Sequence, residues 1–148
     1  MRTKWSIGLH KSATNDAKIS LAAGATLDLG GTNQFVAALS GAGQVRNGTL
    51  SAGRLVADAV ATSWTDAQGT FAVPENLVVE VKNLPSEITR LDIRILHAAS
   101  YAGLSNLANA TLVGEPIPEG MKARLLVASD GYLTLRVKRI EGLTVIMK

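Results

Sequence analysis

The chain has 148 residues, no cysteine and a formal net charge of +3. This length suits one domain whose core needs no metal or disulfide, and the absence of cysteine excludes thiolate catalysis and a cysteine-ligated zinc site. The basic residues are scattered, and Arg136 and Lys138 alternate with Leu135 and Val137. We expect no nucleic-acid partner, because nucleic-acid-binding proteins present a basic stripe interleaved with aromatic residues.

Short apolar segments separated by Gly, Asn and Ser occupy residues 19–55. Trp5, Ile7 and Leu9 place an apolar residue at every second position, which predicts a first strand. Residues 18–29 predict two further strands joined by a turn. Further turns are expected wherever glycine permits a positive φ. The predicted turn residues are Gly24, Gly30, Gly31, Gly41, Gly43, Asn47 and Gly48.

These segments are too short to bury a core singly, so they must stack on one another. The predicted interior consists of Leu27, Leu29, Leu39, Val45 and Leu50. The segments recur about every ten residues. That interval is half of a ~20-residue coil in a parallel β-solenoid, but it is also the strand spacing of a β-sandwich. Both all-β architectures remain open on periodicity alone.

The pattern changes at about Pro74. Trp64 and Phe71 are expected to bracket a polar loop that contains Gly69, and longer alternating strands follow at 77–82 and 91–96. Residues 98–112 predict a loop with one helical turn. A hairpin around Ser129-Asp130-Gly131 is expected next, and then a last strand at Leu143–Met147. The expected division of the single domain 1–148 is therefore coils over 1–73 and a hairpin-rich capping region over 74–148.

Residues 24–50 resemble the autotransporter-associated β-strand repeat of bacterial surface proteins. The resemblance lies in the successive motifs Gly30-Gly31, Asn33-Gln34-Phe35-Val36, Leu39-Ser40-Gly41-Ala42-Gly43 and Val45 through Leu50. Residues 93–137 are similar to the segment that closes such repeats. This resemblance implies a short right-handed parallel β-helix, capped by antiparallel hairpins, that serves as a stalk or passenger on the cell exterior.

Few residues are arranged for chemistry. The histidines, His10 and His97, are expected to be structural because no nucleophile elbow or second carboxylate completes a triad, with His97 near Tyr101 and Asp92. The acidic residues are dispersed, and Asp28 is expected on a solvated face. We therefore expect no catalysis, no cofactor and no metal site.

Trp5 and Trp64 are the candidate ligand-binding residues, because an exposed indole forms a stacking platform for sugars. Packing in the core or cap is the favoured role for both. No segment approaches the ~20 apolar residues that span a bilayer, so membrane insertion is not expected. Residues 1–18 lack a signal-peptide core, so the chain is either cytoplasmic or part of a longer exported protein.

The sequence thus predicts a non-enzymatic structural or adhesive module of an extracellular or cell-surface protein, associating with itself or with other surface-protein segments. Two alternatives remain. A carbohydrate-binding module would recognise a glycan through Trp5 or Trp64. A self-assembling fibre subunit would continue its strands through a second copy of the chain.

Overall fold

The structure is a computed structural model that describes residues 3–6 and 17–140. The chain is mostly β, with one 3₁₀ helix at Leu104–Asn109. The strands are β1 (Thr3–Ser6), β2 (Lys18–Leu21), β3 (Ala25–Val36), β4 (Ala38–Gly41), β5 (Gln44–Ala52), β6 (Arg54–Asp58), β7 (Thr65–Ala72), β8 (Val78–Lys82), β9 (Arg90–Ala102), β10 (Thr111–Gly114), β11 (Met121–Val127) and β12 (Tyr132–Arg139).

Most strand pairs are parallel. The largest sheet has the order β1-β3-β5-β7-β9-β12-β11, and its strands are parallel from β1 to β9. Strands β2 and β4 form a second sheet, and β6, β8 and β10 form a third, both parallel. Strand β4 also lies beside β6. From β1 to β10 the chain therefore passes between the large sheet and a small one at every step, and the predicted all-β fold with parallel strands is confirmed.

Residues at equivalent positions of successive long strands form columns across the large sheet. One column runs through Leu27, Val45, Ala67 and Ala98, all of which are buried. Such alternation of inward and outward residues follows from the period of two along a strand. The predicted interior residues Leu27, Leu29, Leu39, Val45 and Leu50 all lie in the core.

A second column, on the polar side, contains one residue from each of four long strands: Asn33, Thr49, Thr70 and Ser100. The hydroxyl oxygens of Thr70 and Ser100 are 2.6 Å apart. We call this set the polar column. Its four members show that β3, β5, β7 and β9 lie side by side in the large sheet, in the same order in which they occur along the sequence.

The long strands contain bulges, and two predicted turns lie inside them. Gly30 and Gly31 have φ values of 64° and 81° within β3, and Asn47 has a φ of 61° within β5. The register of the ladder shifts at these positions. An Asn-Gly pair indicates a left-handed backbone, and a bulge uses that conformation as readily as a hairpin turn does. Asn47-Gly48 therefore bends a strand and does not connect two of them.

Other glycines allow successive strands to approach closely. A Cβ atom on Gly43 would lie 2.7 Å from the Ala25 carbonyl oxygen, and one on Gly69 would lie 2.5 Å from the Gly48 carbonyl oxygen. Neither glycine has a left-handed φ. Their role is to leave room for the backbone of the preceding segment, whereas Gly24 (φ 88°) and Gly41 (φ 101°) have the positive φ of turn residues.

Three expectations about the second half are corrected. Residues 65–72 form β7 and not a loop, because the polar residues at their centre lie in a bulge while Thr65, Ala67 and Phe71 point inward. Strand β9 continues to Ala102, and β10 follows the expected helical turn. Parallel pairing also continues past residue 74 to Gly114, since alternation within one strand does not distinguish parallel from antiparallel neighbours.

Antiparallel pairing is confined to the last three strands of the large sheet. The predicted hairpin is confirmed: Ala123, Leu125 and Val127 pair with Val137, Leu135 and Leu133 across β11 and β12. Strand β12 also pairs with β9. The predicted strand Leu143–Met147 lies outside the described residues, as does His10.

Candidate binding cleft around Trp64

Trp64 is the last residue of the connection between β6 and β7. The next residue, Thr65, is buried, and its hydroxyl donates a hydrogen bond to the Gly41 carbonyl oxygen at 2.8 Å. Because this bond ties the start of β7 to the end of β4, it also holds the backbone of Trp64 in place. The indole is partly buried and lies at the surface between these elements.

Arg94, on β9, packs between two aromatic rings and an acid. Its guanidinium carbon lies 5.4 Å from the centre of the Trp64 ring and 4.7 Å from that of Tyr132, and one of its nitrogens is 2.9 Å from an Asp130 carboxylate oxygen. The rings of Trp64 and Tyr132 meet edge to face, with their centres 5.5 Å apart. Cation–π and edge-to-face contacts are both favourable, so this group restrains the indole.

A second group extends from Tyr132 along the strands. Asp66, His97 and Tyr132 occupy paired positions of β7, β9 and β12. His97 Nδ1 is 2.9 Å from Asp66 Oδ1, and the rings of His97 and Tyr132 are 5.1 Å apart. The carboxylate partner of His97 is Asp66 and not Asp92, which stands five positions earlier on β9 and is paired with Arg136. A histidine–carboxylate pair needs an adjacent nucleophile to act in acyl transfer, and within residues 17–140 no hydroxyl is hydrogen-bonded to His97.

Two hollows flank Trp64. The larger has a volume of about 420 Å³, and its polar and aromatic lining includes Ser40, Asp58, Thr62, Ser63, Trp64 and Lys82. The smaller has a volume of about 250 Å³ and lies toward Asp92 and Asp130. Trp64, Arg94, Asp58 and Ala61 line both. We call the two hollows together the Trp64 cleft.

The charged groups of the Trp64 cleft differ in whether they already have partners. Asp58 Oδ1 accepts hydrogen bonds from Asn83 Nδ2 at 2.9 Å and from the Val60 amide at 3.1 Å. Arg94 is paired with Asp130. Lys82 is exposed and, within the described part of the chain, has no carboxylate at ion-pair distance. The Trp64 Nε1 atom is buried and has no hydrogen-bond partner among those residues.

Electrostatics keep the acidic partners of this region charged. The Tyr132 backbone amide donates to Asp130 and lowers the pKa of that carboxyl, and Arg94 lowers it further. The hydrogen bond from Arg136 lowers the pKa of Asp92. Burial raises the pKa of Tyr101 to about 12, and its hydroxyl donates to the Gly131 carbonyl oxygen at 2.7 Å. The turn between β11 and β12 is thus held at Asp130 by Arg94 and at Gly131 by Tyr101.

The residues predicted from sequence do not come together at one site. Trp5 lies in β1 opposite Leu27, and its side chain is outside what the structure describes. Asp28, expected on a solvated face, is largely covered: it accepts hydrogen bonds from the Gly30 amide and from Asn47 Nδ2, both in the bulge region. Trp64, the other candidate ligand-binding residue, lines both hollows of the Trp64 cleft.

The residues that surround Trp64 have no local sequence signal. Arg94 and Tyr132 each follow an ordinary alternating pattern, and their meeting depends on β12 pairing with β9. Only Asp130, within the predicted hairpin turn, stands at a position that the sequence singles out.

No protein-family model, curated protein or solved structure matches this chain. The resemblance to autotransporter-associated repeats therefore stays a prediction. Over residues 3–6 and 17–140, no helix is long and apolar enough to cross a membrane. In the same part of the chain, no group of three or more His, Asp or Glu side chains is placed to hold a metal ion.

Proposed function

We propose that this chain is a non-enzymatic structural module of a bacterial cell-surface or secreted repeat protein. In this proposal it is a short right-handed parallel β-helix, closed at one end by the hairpin of β11 and β12. One observation carries the proposal: from β1 to β10 the chain alternates between the large sheet and a small sheet without exception. A chain wound as successive coils requires that order, and stacked coils form a rigid stalk.

Close backbone contact between successive segments supports the winding. Room for a neighbouring carbonyl oxygen is left not only at Gly43 and Gly69 but also at Gly103, next to Val73, and at Gly114, next to Val81. These four glycines rest on residues at least 18 positions earlier in the chain. Such a separation in sequence between two residues in contact is expected where one coil of a β-helix lies against the preceding coil. The stabilising groups are then mainly backbone and apolar side chains, which is consistent with a scaffold.

The hairpin supports the idea of a closed end. Leu133, Leu135 and Val137 of β12 are fully buried, so this strand covers apolar surface of the preceding part of the chain. The outer strand β11 carries exposed Lys122 and Arg124. Charged residues on an edge strand oppose pairing with further chains. An end covered in this way suits the last coils of a stalk.

Surface labelling of the cells that produce the protein tests this function. An antibody raised against the purified chain should label intact cells, or detect the chain in the culture medium. An antibody against a cytoplasmic protein serves as the control and should label only permeabilised cells. Labelling of the chain only after permeabilisation would contradict the surface assignment.

A fibre subunit is the second candidate, favoured by the edge position of β1. Strand β1 pairs with β3 on one side, and no described strand pairs with its other side. Such an edge can accept a strand from another copy of the chain. Sedimentation velocity over a wide concentration range should then show growing species, and a single monomer peak at the highest concentration would exclude this candidate.

A further inference from the structure

We infer that the Trp64 cleft binds an acidic oligosaccharide, with the Trp64 indole against a sugar ring and the Lys82 ammonium against a carboxylate of the ligand. This site is separate from the proposed scaffold role, which depends on the coils and not on the cleft.

The size of the Trp64 cleft fits a chain of sugar units. Its larger hollow, of about 420 Å³, falls within the range of roughly 300–1,000 Å³ that is common for small-molecule sites. The adjoining hollow, of about 250 Å³, shares Trp64 and Arg94 with it. A ligand built of repeating units could therefore occupy both hollows on either side of one indole.

The unpaired groups of the cleft decide the chemistry of the ligand. Arg94 is neutralised by Asp130, and Asp58 Oδ1 already accepts hydrogen bonds from Asn83 and Val60. What remains open in the described structure is the Lys82 ammonium, the hydroxyls of Thr62 and Ser63, and Asp58 Oδ2. The best ligand consequently supplies a carboxylate for Lys82 and hydroxyl groups for Asp58. A uronic acid unit supplies both, and the C–H face of its ring packs well on an indole.

The geometry of the indole favours binding at low entropic cost. Trp64 is held by the adjacent Thr65 hydrogen bond and by contacts with Arg94 and Tyr132. A contact residue that is already ordered loses little freedom when the ligand arrives.

Calorimetric titration with tetragalacturonic acid, and with the neutral galactose tetramer as its matched control, tests the site. We expect the acidic tetramer to bind and the neutral one to bind about tenfold more weakly or not at all, as expected for the loss of one charge-assisted hydrogen bond. Lys82→Gln should weaken binding of the acidic tetramer by about the same factor. Lys122→Gln, on β11, should leave it unchanged.

A fluorescence reporter places the ligand at Trp64 without disturbing the cleft. The chain has two tryptophans, so in the variant Trp5→Phe all tryptophan emission comes from Trp64. The acidic tetramer should change this emission with the same dissociation constant that calorimetry gives. Absence of binding by the acidic tetramer, equal binding of both tetramers, or an emission that does not respond would each overturn the assignment.

Discussion

Replacing Gly43 by alanine tests the close approach of successive segments that the proposed β-helix requires. The new Cβ would lie 2.7 Å from the Ala25 carbonyl oxygen, 2.8 Å from Leu21 Cβ and 3.0 Å from the Ala22 carbonyl oxygen. Two of these atoms belong to the backbone, so no side-chain rotation relieves the contact. To restore an ordinary separation of at least 3.4 Å, β5 has to move away from the turn that precedes β3. Overpacking of this kind costs about 3 kcal/mol.

The matched control is Gly24→Ala, in the turn between β2 and β3. Gly24 has a φ of 88°, and no atom lies within 4 Å of the position that a Cβ would take, so the substitution costs about 1 kcal/mol of backbone strain and no packing. Both variants lose the same glycine freedom in the unfolded chain, and that term cancels in the comparison. The difference of about 2 kcal/mol corresponds to a Tm about 6 °C lower for Gly43→Ala. Thermal unfolding followed by circular dichroism measures it, and equal Tm values for the two variants would refute the close approach at Gly43.

Two titration predictions concern the region around the hairpin. Because Arg136 lowers the pKa of Asp92, this carboxylate stabilises the fold at neutral pH, and the contribution is lost as the pH falls below 3.8 through the lowered value. Asp92→Asn should therefore be less stable than the wild type at neutral pH by no more than about 1 kcal/mol, since the pair is exposed, and urea unfolding should show the gap closing in acid; a gap that widens in acid would contradict the ion pair. For Tyr101, the raised pKa means that stability is retained below pH 10 and falls as the pH rises toward about 12. The ultraviolet titration difference between wild type and Tyr101→Phe should have its midpoint at about 12 and not at 10.

The local features of this fold follow from the sequence. Alternation with a period of two identifies the inward residues Leu27, Leu29 and Val45 without any knowledge of their neighbours. It also identifies the hairpin of β11 and β12, because Ser129-Asp130-Gly131 separates two segments of equal pattern. Glycine and asparagine likewise mark where the backbone bends, although not whether it bends within a strand or between two.

The long-range features do not follow from it. The polar residues and Gly69 between Trp64 and Phe71 predict a loop, and only pairing with β5 and β9 makes this segment the strand β7. Trp64 is a candidate on its residue type alone. Its contacts with Arg94 and Tyr132 join residues 30 or more positions apart, and no short-range pattern encodes them.

Disulfide formation along the polar column most directly tests the parallel stacking of β5, β7 and β9 on which the proposed β-helix depends. The chain has no cysteine, so only introduced pairs can cross-link. Thr49 and Thr70 are partners on β5 and β7, and Thr70 and Ser100 are partners on β7 and β9. Neighbouring strands lie about 4.8 Å apart, within the range that a disulfide spans, whereas Thr49 and Ser100 are two strand spacings apart and beyond it.

Stacked parallel coils therefore predict a definite result when each double-cysteine variant is oxidised and its free thiols are counted. Thr49→Cys with Thr70→Cys and Thr70→Cys with Ser100→Cys should lose both thiols within the monomer. Thr49→Cys with Ser100→Cys should keep both. Cross-linking of the distant pair, or none in either neighbouring pair, would contradict the stacked arrangement on which the proposed scaffold role rests.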